Sequence, residues 1–454
     1  MKKYKDNLLL KGATTLGVGA FVSKLLGAIY RIPLTNFLGG KGIGFYQTVF
    51  PIYALLLDFS GCAVPSAISK IIAQSSFEKN NRARQYLYSS LKLLSILGLI
   101  FSLSMFIFAK PIARLQGAPE VTFAYLCLSP SVFLVALISC FRGYFQGLMD
   151  MSPTAISQII EQVIKLTTGI LFVKFLSSNL EKAVAGATFA ITISEFIALL
   201  FLIVLYKKRT KNFVGFIKPN REENKKNYIE ILRTSLPITI VGIALPLSQV
   251  IDSFLTVNII GSYRTDATTL YGLLGGVALT IINLPVSICH SVATVTIPSV
   301  SGESTNIKQD ERAKKVLFIT VVLSLPCALF CLIFAPFIVN LLYRALPQIE
   351  KNIAINLIRL LSPCVLLLSI LQTLNAVLIG KGKLYVPVIS LSVGVVIKTA
   401  LNLILMKIPR FNIYGGGIAL IACYFFACLI NFIIIFKFKV KNASPRAYRR
   451  QYAS

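Results

Sequence analysis

Charged residues make up only 14% of this 454-residue chain, histidine occurs once, and acidic side chains are outnumbered 17 to 46 by basic ones. A chain this poor in charge, with 56% hydrophobic residues and a mean hydropathy of +0.76, carries more apolar surface than one soluble core can hide, so lipid is its expected solvent. The nine cysteines are scattered, mostly in apolar segments (Cys127, Cys140, Cys327, Cys364, Cys423), without metal-ligand spacing. With one histidine beside them, neither a metal site nor a disulfide framework is expected. Nucleotide-binding signatures, cofactor motifs and catalytic triads are also missing. The piece Leu38-Gly39-Gly40-Lys41-Gly42-Ile43-Gly44 lacks the order of a phosphate-cradling loop and reads as a turn. No cofactor and no enzymatic activity are expected, and energy would come from an ion gradient, the membrane potential or the substrate's own gradient.

What the chain does have is apolar runs. Crossing the hydrocarbon layer takes roughly 20 apolar residues. Windows of that length, bounded by charges, prolines or glycines, occur about twelve times: 9–30, 43–68, 86–109, 121–141, 153–176, 183–206, 232–260, 268–298, 316–342, 353–379, 384–406 and 413–436. The first follows Lys2, Lys3 and Lys5 and mimics a signal peptide, but it runs long and shows no convincing cleavage site, so it reads as a retained span.

A formal charge of +29 raises the question of nucleic acid, yet the basic residues are interleaved with the spans rather than gathered on one soluble domain. Topology accounts for them instead. With both termini in the cytoplasm, Lys and Arg concentrate on cytoplasmic segments, as the positive-inside rule requires. Lys207, Lys208, Arg209, Lys211, Lys218, Arg221, Lys225, Lys226 and Arg233, together with the tail after Phe436, should lie against anionic headgroups. No nucleic-acid partner is expected.

The chain also repeats itself. A shift of 233 positions lays Pro65-Ser66 on Pro298-Ser299, Leu128-Ser129-Pro130 on Leu361-Ser362-Pro363, Gly147 on Gly380, Ser157 on Ser390, and Val163-Ile164-Lys165 on Val396-Ile397-Lys398. Apolar coincidences are cheap in such a chain, but matched prolines, glycines and an intramembrane lysine are not. The expected fold is therefore all-α and polytopic: about twelve transmembrane helices in two six-helix lobes. Because each half holds an even number of spans, the lobes are related by a pseudo-two-fold along the membrane normal. The expected division is an N-terminal lobe 1–206, a basic cytoplasmic linker 207–231, a C-terminal lobe 232–436 and a basic cytoplasmic tail 437–454. Two such lobes leave a cleft that rocking can expose to either face, which points to transport.

Ionisable groups inside spans cost about 2.5 to 3.5 kcal/mol each and should face a partner or a hydrated cavity. They are Lys24, Asp58, Glu161, Lys165, Glu195, Asp252, His290 and Lys398. Glu161 and Lys165 stand in the favoured order for an ion pair within one helix. Lys398, the repeat equivalent of Lys165, has Gly394 where that glutamate would be, so its charge must be answered elsewhere. Lys24 and Arg31 share one helical face, where snorkelling competes with substrate contact. Asp58, Glu161, Glu195 and Asp252 are candidates for coupling to H+ or Na+, with pairing to a lysine as the competing reading for Asp58 and Asp252. His290 reads as a packed residue.

Longer motifs carry a family likeness. Ser23-Lys24-Leu25-Leu26-Gly27-Ala28-Ile29-Tyr30-Arg31-Ile32-Pro33-Leu34, Gly42-Ile43-Gly44-Phe45-Tyr46-Gln47, Pro51-Ile52-Tyr53 and Val64-Pro65-Ser66-Ala67-Ile68-Ser69-Lys70 open the chain. Phe141-Arg142-Gly143-Tyr144-Phe145-Gln146-Gly147, Met151-Ser152-Pro153-Thr154-Ala155 and Gln249-Val250-Ile251-Asp252-Ser253-Phe254 follow. Together they resemble the polysaccharide-biosynthesis flippases of the stage V sporulation protein B type. That family belongs to the multidrug/oligosaccharidyl-lipid/polysaccharide (MOP) exporter superfamily and includes lipid II flippases.

The resemblance implies a MATE-like fold in a bacterial cytoplasmic membrane and a polyprenyl-pyrophosphate-linked sugar as cargo, serving cell-wall growth or sporulation. Cations along the path would carry the pyrophosphate: Lys24, Arg31, Lys165 and Lys398 in the cleft, with Arg142 capturing the headgroup near its cytoplasmic mouth. In the lipid II branch, arginines on the first, second and eighth helices line the cavity. Here the second and eighth spans have none, and only Arg31 carries over. Family members usually add two C-terminal helices that extend a lipid-binding groove, whereas this sequence ends in a basic tail soon after its twelfth span. A drug/cation antiporter of the same fold is the alternative, and it would require a cavity dominated by carboxylates. A non-transporting scaffold for envelope or spore-coat assembly is a third reading.

Overall fold

The computed structural model describes residues 2–62, 64–74, 79–211, 218–301, 306–383 and 385–436, and among them the regular elements are all helical. They are α1 (Lys2–Leu57), α2 (Val64–Gln74), α3 (Lys79–Ile107), α4 (Ala109–Leu115), α5 (Thr122–Gly147), α6 (Ser152–Phe175), α7 (Leu180–Thr210), α8 (Arg221–Gly242), α9 (Ala244–Gly261), α10 (Ala267–Gly272), α11 (Leu279–Ser301), α12 (Asn306–Leu342), α13 (Gln348–Gly380), α14 (Val386–Leu405) and α15 (Asn412–Phe436). Single π-helical turns, Asp58–Cys62 and Leu273–Ala278, join α1 to α2 and α10 to α11. Among the described residues, eleven helical stretches are long and apolar enough to span a bilayer, and the first, Gly17–Ala73, has length for two passes.

That first stretch cannot be straight. At 1.5 Å per residue its 57 residues would run about 85 Å, nearly three hydrocarbon thicknesses. It is interrupted at Gly39, whose φ is 66° and ψ −177°, and again at Gly61 in the π turn, whose φ is 154°. Only glycine takes up such conformations at little cost. Tyr30, Leu34 and Leu38 before Gly39 pack in one core with Ile43, Tyr46 and Val49 after it. The glycine-rich piece is thus a one-residue corner, and helix resumes at Gly40. The seventh span is divided at Ile243, between α8 and α9, although Ile243 itself keeps helical backbone angles. The ring of Pro246, on α9, displaces the hydrogen bond and crowds the carbonyl four residues back, at Gly242.

Prolines inside helices are accommodated the same way in both halves. Pro130 cannot donate to the Leu126 carbonyl, and the hydroxyl of Ser129 donates to it instead at 2.9 Å. Ser362, before Pro363, donates to the Arg359 carbonyl at 2.9 Å. Ser157 and Ser390, also 233 residues apart, are both fully buried and donate to the carbonyls of Thr154 (2.8 Å) and Pro387 (3.1 Å).

Hydrophobic cores segregate with the halves. Two clusters draw almost wholly on α1 to α7, and two others on residues from Ile260 to Ile435. Large apolar side chains such as Phe175, Val204, Ile240 and Phe318, between 63% and 80% exposed, point outward, as lipid-facing residues must. The latter part of the basic linker is structured. α8 starts on a capping box formed by Asn220 and Glu223, and it leans on α3 through Ser89, which bonds Asn224 (2.8 Å) and Asn227 (3.0 Å), and through Tyr86, whose hydroxyl bonds Glu230. Residues 212–217 of the linker, the whole 437–454 tail and the His290 side chain lie outside what the structure describes.

Candidate functional site

α1 joins the two halves, packing on α6 of its own half and on α9, α10 and α11 of the other. Where it passes between the halves it lines a cavity of about 1100 Å³. One wall is polar: Lys24 and Arg31 from α1, Arg142 from α5, and Gln158, Glu161, Gln162 and Lys165 from α6. The opposite wall, from α11 and α12, is mostly apolar, with Leu284, Ile288, Phe330 and Ile338. The polar wall follows from helical spacing. Positions 158, 161, 162 and 165 fall on one face of α6, and 24 and 31 on one face of α1.

Four of the five expected cations therefore meet in one cavity. Arg142 is not free there. Its guanidinium donates to Glu161 at 2.8 Å and to Ser157 at 3.0 Å. This corrects the expectation of a Glu161–Lys165 pair within α6: the planar guanidinium, steadied by Ser157 one turn earlier, takes the carboxylate in a charge-assisted bond. Lys165 instead sits over the Tyr30 ring, 5.8 Å from its centroid. Arg31 donates to the Thr280 hydroxyl of the other half at 3.2 Å. Among the described residues, no carboxylate lies within ion-pair distance of Lys24, Arg31 or Lys165.

The fifth cation stands apart. Lys398, 5% exposed, borders a second cavity of about 260 Å³ that shares Arg31, Phe50 and Asn283 with the first. Its ammonium donates to Ser248 (2.5 Å) and Asp252 (2.6 Å), and Asn402 donates to the other oxygen of Asp252 at 3.0 Å. The partner that sequence could not name for Lys398 is Asp252, on α9. Glu195 lines neither cavity. It is 2% exposed and receives the Tyr53 hydroxyl at 2.6 Å. Asp58 occupies the π turn after α1, with its carboxylate turned towards Gly242.

Beyond the cavity the halves close on each other. Asn36 bonds the Leu342 carbonyl (2.7 Å) and the Ala345 amide (3.1 Å). The Glu350 carboxylate receives the amide of Gly40, the first residue after the corner, at 3.1 Å. Gly44 lies so near α10 that a Cβ there would stand 2.0 Å from the Thr268 carbonyl oxygen. The Gln116 amide donates to Ser253 at 3.2 Å and the Asn258 amide to the Leu115 carbonyl at 2.9 Å.

Sequence reasoning passed over Gln158, Gln162, Tyr46 and Asn283, which also line the large cavity. The two glutamines were findable, since together with Glu161 and Lys165 they make a polar stripe at helical spacing inside an apolar span.

A lipid-facing helical bundle with a cation-rich cavity between its halves defines a polytopic membrane transporter. The sequence profile of the family described as polysaccharide biosynthesis protein matches residues 9–304, and that of MatE matches 237–404. Stage V sporulation protein B of Bacillus subtilis is 27% identical, over 98% of this chain and 86% of its own length. Lipid II flippase MurJ of the same organism is 26% identical, over 94% and 82%. Among solved structures, a multidrug resistance MATE family transporter of the MOP superfamily in an inward-facing conformation superposes with a TM-score of 0.73 at 17% identity, covering 91% of this chain and 93% of that one. Lipid II flippase MurJ in an inward closed conformation gives 0.72 at 17%, covering 92% and 87%. The chain belongs to the polysaccharide biosynthesis protein family.

Proposed function

We propose that this protein moves a polyprenyl-pyrophosphate-linked sugar, a lipid II-like or polysaccharide precursor, across the bacterial cytoplasmic membrane by alternating access. The observation that carries this reading is the polar wall: Lys24, Arg31 and Lys165 face the cavity without a carboxylate partner among the described residues, while the cavity carboxylate Glu161 is spent on Arg142. A pyrophosphate entering a low-dielectric site needs such unanswered positive charge. The apolar wall opposite suits the first units of the lipid tail. A cation antiporter would need the reverse balance. Family membership and the names of the two relatives point the same way.

With both termini in the cytoplasm, as the distribution of lysine and arginine favours, the sealed end at Asn36, Gly40 and Gly44 is the outer one and the cavity loads from the cytoplasmic side. The lobes 1–206 and 232–436 then rock about the α1 contacts, with the basic linker 207–231 on anionic headgroups. Coupling to H+ or Na+ falls to the intramembrane carboxylates Asp58, Glu161, Glu195 and Asp252. Glu195 receives a tyrosine hydroxyl, whereas Glu161 and Asp252 are paired with cations.

The test is complementation of flippase-depleted bacterial cells, with exposure of lipid-linked precursor at the outer face as readout. Wild type should rescue, and Arg31→Ala and Lys165→Ala should lose rescue at equal expression. Failure of the wild type would turn the reading towards another cargo, and rescue by both variants would refute the site.

A further inference from the structure

Four residues lining the large cavity carry buried side-chain oxygens with no hydrogen-bond partner among the described residues, Ser23 and Tyr30 on α1 and Gln158 and Gln162 on α6, and of these only the glutamine oxygens are pure acceptors. The side-chain oxygens of Gln158 and Gln162 are buried, face no hydrogen-bond partner, and belong to residues that line the large cavity. A buried amide oxygen without a partner is costly, and two of them stand on one helix face at the cavity wall. The duplication supplies an internal control. At the positions 233 residues later, α14 carries Leu391 and Val395, while Lys165 is matched by Lys398. The same helix in the other half therefore does without the amides. α1 also makes room for one of them: a Cβ on Gly27 would lie 3.3 Å from Gln162 Oε1, closer than ordinary contact.

The chemistry of the orphaned atoms says what they await. They are acceptors. A pyrophosphate offers only acceptor oxygens, and Lys24, Arg31 and Lys165 already serve it, so its own atoms cannot satisfy a glutamine carbonyl. Sugar hydroxyl and acetamido N–H groups can. Gln158 and Lys165 are two turns apart on one face, about 10 Å along the axis, so a ligand whose phosphates reach Lys165 extends past Gln162 to Gln158.

We infer that Gln158 and Gln162 are specificity residues that read the hydroxyl and acetamido donors of the sugar nearest the pyrophosphate. This rests on the flippase reading above and adds to it the part of the cargo that the cations cannot distinguish. A site built to hydrogen-bond a substrate discriminates strongly against an analogue lacking the group, because its buried acceptors are left bare.

The experiment compares two probes on the purified full-length protein: a short-chain prenyl pyrophosphoryl-N-acetylglucosamine and the same prenyl pyrophosphate without sugar. The readout is the ratio of their Kd values. Wild type should prefer the sugar-bearing probe, and Gln158→Leu and Gln162→Val, which install the residues of the repeat, should each shrink that preference by about tenfold. Gln158→Asn and Gln162→Asn keep the amide but withdraw it by one methylene, and they provide the same reading if the apolar variants do not purify as folded protein. An unchanged ratio in folded variants, an equal loss of both probes, or no sugar preference in wild type would overturn the assignment while leaving pyrophosphate recognition standing. Binding of neither probe by wild type would overturn both together.

Discussion

Replacing Lys398 with methionine separates a structural ion pair from a substrate contact. Lys398 and Lys165 are repeat equivalents, yet only Lys398 is buried against a carboxylate, at 2.6 Å from Asp252, with Ser248 and Asn402 completing the cluster. Removing one member of a buried pair leaves an uncompensated charge and costs about 3 to 5 kcal/mol. At roughly 2 to 4 °C per kcal/mol for a lobe of about two hundred residues, 3 kcal/mol is an apparent Tm lower by about 6 to 12 °C. The double variant Lys398→Met/Asp252→Asn removes both charges and should recover part of the loss, with a coupling energy of about 0.5 to 3 kcal/mol. Lys165→Met, with no carboxylate to strand, should stay within about 2 °C of wild type. The assay is thermal unfolding of purified protein in one detergent, followed by loss of helical circular dichroism. A Lys398→Met variant as stable as wild type, or a double variant less stable than the sum of its singles, would refute the view that this lysine answers Asp252.

Three further outcomes follow from the geometry. Glu161→Gln frees the Arg142 guanidinium and adds one net positive charge to the cavity, so a prenyl pyrophosphate should bind up to about tenfold more tightly at low salt, with the gain fading as salt rises; equilibrium binding at two salt concentrations checks this. Gly44→Val places side-chain atoms where the Thr268 carbonyl stands, so the seal cannot close and a cysteine introduced at Thr280 in a cysteine-free background should become labelled by an impermeant maleimide from the outer face. Tyr53→Phe removes the hydroxyl donated to buried Glu195 and should lower stability by about 1 to 3 kcal/mol in the same unfolding assay, with Glu195→Gln added to the Tyr53→Phe variant restoring part of it.

Much of the architecture was legible from the chain alone, because a bilayer imposes a length and a polarity on every span. Apolar windows of about twenty residues located the helices, and residues matched at a shift of 233, Ser-Pro steps among them, pointed to two halves. The matched serines turned out to serve one purpose, capping the carbonyl each proline frees. Helix phase also placed Lys24, Arg31 and Lys165 on faces that could look inward. Where the seventh span bends was less legible: hydropathy draws 232–260 as one run, whereas the structure divides it at Ile243, ahead of Pro246, because a proline ring disturbs the helix without lowering its hydropathy.

Partnership was decided only by tertiary structure. Nothing local shows that Glu161 answers Arg142, nineteen residues away on α5, rather than Lys165 one turn along its own helix, or that Lys398 meets Asp252 across 146 positions. Both depend on which helix faces which across the bundle, and that is set by packing summed over whole helices. The sequence determined that cations would lie inside a membrane in a duplicated helical bundle; the packing decided which of them are spent on carboxylates and which are left to face the cavity.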